Sequence, residues 1–127
     1  VAKHTGYKWL IEQFVEIARN SVQANRIRKN GHPVRTNDGP QFPLSAQERD
    51  QKEVLLSLDA SAREVIARLI EQARISAVHD LACFLEAEIS EKNVSIQVGD
   101  DELTTSPFAS YEFDFVCRLE GDSWPDD

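Results

Sequence analysis

The stretch from Asp59 to Ile89 constrains this chain most, because apolar residues recur there at helical spacing with no proline or glycine to interrupt them. At about 100° per residue, Ala62, Ile66, Leu69, Ile70, Ala73, Ala77, Leu81 and Phe84 share one side of a helix, and Val78, Leu85 and Ile89 widen it. An apolar arc of roughly 200° exceeds the roughly 100° stripe of a surface helix, so neighbours are expected to cover it on two sides. Ala73 and Ala77 lie mid-stripe, where small side chains let another helix come close. Two start signals compete: Asp59, and Ser61 with Glu64 three residues on, which has the capping-box form. The expectation is one rod over 59–89, with a break capped by Ser76 as the alternative.

Two residues depart from the pattern. Asp80 is predicted to point into the stripe between Ala73, Ala77 and Phe84, while Ile75 points away from it. A buried, unpaired carboxylate is costly, so Asp80 has to meet a cation or hydrogen-bond donors.

Before the rod, residues 7–29 read as a helix with Leu10, Phe14, Ile17, Ala18 and Ser21 on one face, flanked by Ile11, Val15 and Val22. Arg26, Arg28 and Lys29 crowd its last turn, where cations suit the negative end of the helix dipole, and Gly31 is placed as its stop. An anion-binding role for Arg26, Arg28, Lys29 and Arg35 is the functional alternative to that structural reason. Residues 30–44 carry two glycines and three prolines and read as a long loop, anchored by Phe42 and Leu44, with His32, Arg35 and Asp38 as polar candidates. Ser45 and Glu48 repeat the capping-box spacing and start a charged helix that ends near Leu56 or Leu58.

After Ile89 the period shortens to two. Val94, Ile96 and Val98 form a strand, Gly99-Asp100-Asp101 a turn, and Glu102 to Thr105 a return strand. Tyr111, Phe113, Phe115, Cys117 and Leu119 alternate with Glu112, Asp114, Val116, Arg118 and Glu120, which predicts a further strand with an acidic outer face. Two strands alone are marginal in water, so a third is expected in the sheet. The tail from Gly121 reads as irregular, with Trp124 its one docking residue. The predicted fold is therefore α+β: three helices, the third long and central, followed by a small antiparallel sheet.

A length of 127 residues suits one domain that buries roughly two thirds of its unfolded surface. No apolar run approaches a membrane span and no signal-type segment opens the sequence. Two cysteines provide no disulfide framework, and the expected location is the cytoplasm. The net charge of −8 argues against nucleic-acid binding. Its distribution is polarised: residues 1–35 hold seven Lys/Arg and two Asp/Glu, whereas residues 80–127 hold two Lys/Arg and thirteen Asp/Glu. Such a chain can fold its ends together, stack head to tail, or present an acidic face to a basic partner.

Chemistry-bearing patterns are sparse. His79 and Cys83 share a helix face, but zinc needs four ligands, and Cys117, His4 and His32 form no recognisable complement, so no metal or cofactor is expected. Cys83 lies late in a helix among carboxylates, which opposes thiolate formation. The glycines are isolated, so no phosphate-cradling loop exists. The leading functional expectation is a non-catalytic protein-interaction module in the style of immunity or antitoxin proteins. Glu112, Asp114 and Glu120 would face a basic protein, and homodimerisation is possible. The rival is an enzyme or small-ligand binder with Arg35, Arg74, His79 and Asp80 in a pocket under the 30–44 loop.

Overall fold

The computed structural model describes residues 3–37 and 39–125. Five helices and one hairpin occur among them: α1 (Thr5–Arg19), α2 (Val22–Asn30), α3 (Ala46–Leu56), α4 (Ala60–Ser90), β1 (Ile96–Val98), β2 (Asp101–Leu103) and α5 (Tyr111–Leu119). The class is α+β, mostly helical with a two-stranded antiparallel sheet. Contacts group the chain into two compact units, Asn20–Arg74 and Val1–Arg19 with Ile75–Asp127.

In the Asn20–Arg74 unit, the helix expected over 7–29 is divided. Ser21 sits in extended conformation with its hydroxyl accepting from the Ala24 amide at 3.2 Å, so a buried serine starts α2 instead of lining a longer helix. Gly31 ends α2 as expected: at φ +83° its amide returns to the Ile27 carbonyl at 2.9 Å. Arg28 reaches across to α4 and grips Glu64 and Glu71 with four hydrogen bonds of 2.6–3.1 Å. Those bonds to the guanidinium hold both carboxyl groups below their ordinary range. Arg28 is thus spent on structure and does not serve the anion site considered for the basic cluster. The capping box at Ser45 and Glu48 forms as expected. The unit's apolar centre is small: Ala24, Ile27 and Ala67 are buried, with Leu55, Ile66 and Ile70 packed against them.

Of the two expected anchors of the loop before α3, Leu44 is half-buried and Phe42 is not an anchor. Phe42 is exposed, whereas Val34 and His32 are buried. Asp38 lies outside the described residues.

The other unit is built on α1, which packs against α5 and both strands. Tyr7, Ile11, Phe14, Val15 and Ala18 of α1 meet Val78, Ala82 and Ile89 of α4, Leu103 of β2, and Tyr111 and Phe115 of α5. The hairpin pairs Ile96 with Leu103, Gln97 with Glu102 and Val98 with Asp101, and Gly99 takes φ +58° in its two-residue turn. Among the described residues the sheet stays at two strands, and its support comes from α1. Asp101 accepts from the Gly6 amide at 3.2 Å, satisfying a free N–H at the start of α1, and a Cβ on Gly6 would lie 2.8 Å from that carboxylate oxygen.

The strand predicted over 111–119 is the helix α5. Tyr111, Phe115 and Leu119 are four apart and fit both periods, so alternation and helical spacing share their strongest positions. The termini decide the outcome. Ser110 accepts from the Phe113 amide at 3.1 Å, Glu112 and Asp114 occupy the positive first turn, and Arg118 the negative last turn. Phe113, which the strand would have buried, is exposed. Trp124 docks as expected, with Phe108 at 5.5 Å between ring centroids and the Arg118 guanidinium 5.3 Å over its ring.

Helix α4 is continuous, with no break at Ser76. Asp59 wins the competition to cap it, accepting from the Ala62 amide at 2.7 Å, which leaves Ser61 inside the helix. The predicted arc is covered only in part: Ile66, Ile70, Val78, Leu85 and Ile89 are buried or pack against buried residues as expected. Ala67, Val78, Ala82 and Ile89 are buried and Ile75 packs against the core, while Leu69, Ala73, Ala77, Leu81 and Phe84 of the predicted core stripe are exposed.

Candidate functional site

Arg35, one of the four residues assigned to a pocket under the loop, lines a cavity of about 600 Å³ with Arg26, Val34, Glu48, Leu55 and Ile70; Arg74, His79 and Asp80 are not among its lining residues. Arg35 also has a structural task. Its guanidinium donates to the carbonyls of Asn37, Phe42 and Pro43, each at 3.0 Å, and lies 3.6 Å from Glu48. It closes the loop, where Gly39 and Phe42 pair through backbone bonds of 2.9 and 3.4 Å. Arg35→Ala is expected to raise amide exchange at Gly39 and Phe42 by about tenfold or more while α3 keeps its protection. Unchanged exchange, read by mass spectrometry, would show that other contacts hold the loop.

Arg74 is half-buried on α4. His79 Nδ1 lies 3.8 Å from both the Asp80 carboxylate and the Cys83 sulfur. The Asp80 side chain is 85% exposed, so water meets the need for donors that its place in an apolar stripe implied. Burial, then the charges of Glu112 and Asp80, push the Cys83 thiol up, as the sequence suggested. Burial and neighbouring acids do the same at Cys117. Among the described residues no group of His, Cys, Asp and Glu is arranged to hold a metal ion.

The acidic trio expected to face a partner is split by the turn from strand to helix. Glu120 is exposed. Glu112 is half-buried, and one of its carboxylate oxygens is enclosed without a hydrogen-bond donor among the described residues. Asp114 is 5% exposed and turned inward.

Asp114 is the hub of a polar centre that the sequence did not reveal. The Tyr7 hydroxyl donates to its Oδ2, and the Ser106 hydroxyl donates to the same oxygen at 2.5 Å. The Phe108 amide donates to Ser106 Oγ at 2.9 Å. Beside it, the Glu86 carboxylate accepts from the amides of Ser106 at 3.2 Å and Tyr111 at 3.3 Å, and the Tyr111 hydroxyl donates to the Thr104 carbonyl at 2.6 Å. Burial raises the Tyr7 phenol far above its ordinary value, with help from the Asp114 hydrogen bond. Burial and the Glu86 charge push Tyr111 up to about 12. Burial also raises Glu86, against the pull of its two amide donors. These groups hold α1, α5 and the segment after β2 in register. Reading 111–119 as a helix would have exposed the signal, since Asp114 then falls between Tyr111 and Phe115 on the apolar face.

The surface that stands out is on α4. Leu69 is 57% and Phe84 54% exposed, Val65 and Leu81 are similarly open, and exposed Ala73 and Ala77 lie between them. Large apolar side chains left open in this number are unusual for a helix, and exposed Asp80 and Ser76 lie among them.

No helix among the described residues is long and apolar enough to cross a membrane. No curated protein and no solved structure matches the chain. A family profile does match, over residues 2–126, and on that match the chain belongs to DUF6547, a family of unknown function.

Proposed function

We propose that this protein is a non-catalytic interaction module that binds another protein chain through the exposed apolar face of α4. The observation that carries this reading is the solvent exposure of Val65, Leu69, Leu81 and Phe84 along one uninterrupted helix. Fully burying a Leu or Phe side chain is worth about 1.5–3 kcal/mol, so four such residues left half open are a large unused driving force for association. The small core of the Asn20–Arg74 unit adds to the argument, because little else in that unit repays the ordering of its chain. Acidic residues 80–127 favour a partner surface that brings cations. Free Cys83 and Cys117 fit a reducing cytoplasm as the place of action.

Photo-crosslinking tests this directly. With benzoylphenylalanine at position 69 or 84, irradiation in cells of the source is expected to give a discrete crosslinked protein band. The same group at Asp50, an exposed polar position on α3, is expected to give none. Bands of equal strength from all three positions, or none from 69 and 84, would remove the α4 face as a binding surface.

A further inference from the structure

We infer that the cavity of about 600 Å³ bordered by Arg35 is a binding site for a small monocarboxylate with an aliphatic body, whose carboxylate is held by Arg26. The site lies wholly within the Asn20–Arg74 unit, and none of Val65, Leu69, Leu81 and Phe84 lines it.

Helical spacing builds its walls. Gln23, Arg26 and Ile27 share one face of α2, while Glu48, Gln51 and Leu55 share one face of α3. Ile66 and Ile70, four apart on α4, and Pro33 to Arg35 of the loop complete the lining. Ile27 and Val34 are buried. Leu55, Ile66 and Ile70 pack on the unit's small core yet stay half-buried, and the cavity is where the rest of their surface opens. Among the described residues this apolar lining is aliphatic throughout, so it offers an aliphatic body full contact and an aromatic one no stacking partner. A mostly apolar hollow of about 300–1,000 Å³ with a few placed polar groups is the usual form of a small-ligand site.

The polar groups select the charge of the ligand. Arg35 is committed to three loop carbonyls and lies 3.6 Å from Glu48. The Ser45 amide and the Arg35 guanidinium hold the Glu48 carboxyl below its ordinary range, so the charges of Arg35 and Glu48 offset one another. Arg26 differs. It is half-buried, and among the described residues its guanidinium makes one hydrogen bond, to the Pro33 carbonyl at 3.4 Å, and no ion pair. A guanidinium carries five N–H donors and can give two parallel bonds to one carboxylate. The amides of Gln23, one turn earlier on α2, and of Gln51 on α3 add donors at the same rim. The cavity's surplus is therefore a single positive charge, which a carboxylate balances. A phosphate monoester, at about −1.5 to −2, would bring a second negative charge toward Glu48. The unit itself suits an anion: residues 20–74 hold nine Lys/Arg and seven Asp/Glu in a chain of net charge −8.

Calorimetric titration of the 127-residue protein with octanoate tests the inference, with octanol and octyl phosphate as the neutral and more highly charged counterparts. Wild type is expected to bind one octanoate saturably and the other two about tenfold or more weakly. Arg26→Met keeps an apolar stem and removes the charge, so it should weaken octanoate about tenfold or more and leave octanol unchanged. Gln51 is exposed, so Gln51→Glu should keep the wild-type circular dichroism while setting a second acid at the rim. It too is expected to weaken octanoate, and it decides the matter if Arg26→Met disturbs folding. Arg68→Met removes an exposed cation outside the cavity and should change nothing. Bound octanoate is expected to shift the amide resonances of Arg26, Val34 and Gln51 and to leave those of Leu81 and Phe84 in place. Absence of saturable binding, octanoate affinity untouched by both Arg26→Met and Gln51→Glu, or tighter binding of octanol or octyl phosphate than of octanoate overturns the inference.

Discussion

Asp114→Ala is expected to destabilise the fold by about 3–5 kcal/mol, because one carboxylate oxygen serves two hydroxyl donors in the interior. A hydrogen bond to a charged acceptor contributes about 1.5–3 kcal/mol, and a donor left unpaired in a buried place loses its solvation as well. Tyr7 is buried, so its phenol has no water to turn to when Asp114 is gone. Tyr7→Phe and Ser106→Ala each remove one donor and leave the carboxylate with the other, so each should lose only about 1–2 kcal/mol. Because the three groups form one network, the Tyr7→Phe, Asp114→Ala double variant is expected to lose less than the sum of its single changes. Urea unfolding of the four proteins measures this. A loss below about 1 kcal/mol in Asp114→Ala would mean that water or another donor set already replaces the carboxylate.

That same residue marks where the sequence was legible and where it was not. Local chemistry read true. The Ser45 and Glu48 box, the glycine stop at Gly31 and the turn at Gly99-Asp100 depend on atoms within a few residues and formed, while of the two competing starts of α4 the Asp59 cap formed and the Ser61 and Glu64 box did not. The break at Asn20-Ser21 belongs to the same class. It was missed because Ser21 fits a helix face by spacing and a cap by chemistry, and only the buried cap is compatible with α2 as observed.

What failed needed information from a distance. Tyr111, Phe115 and Leu119 satisfy period two and period 3.6 alike, and the deciding residues, Phe113 and Cys117, gave the wrong answer because large apolar side chains were assumed to be inside. In α4 the apolar arc was wide enough for either half to be covered. The neighbours took the side with small or β-branched residues, Ala67, Ile75, Val78 and Ala82, and left the larger Leu69, Leu81 and Phe84 outside. Ile75, read as pointing away from the core, was the visible sign that the core lay on the other side.

Above pH 10 the protein is expected to lose its fold before either tyrosine ionises in the native state. Tyr7 and Tyr111 are the chain's two tyrosines, and both are buried with their hydroxyls donating, to Asp114 and to the Thr104 carbonyl. The neutral phenol is the form the fold accepts. In the unfolded chain each titrates near 10.0, whereas Tyr111 is pushed up to about 12 in the folded state and Tyr7 is raised further. The unfolded state therefore holds fewer protons than the native state above pH 10, and stability falls as pH rises. Below pH 10 both states keep their phenolic protons and this contribution is fully present. Each tyrosine removes about 1.4 kcal/mol per pH unit, so the two together remove about 5 kcal/mol over two units, comparable to the whole stability of a marginal domain. Near-ultraviolet tyrosinate absorbance and far-ultraviolet circular dichroism should accordingly change together in one transition between about pH 10 and pH 12. Tyrosinate appearing near pH 10 with the helices intact would show that at least one phenol reaches solvent, and the packing of α1 against α5 would then have to be redrawn.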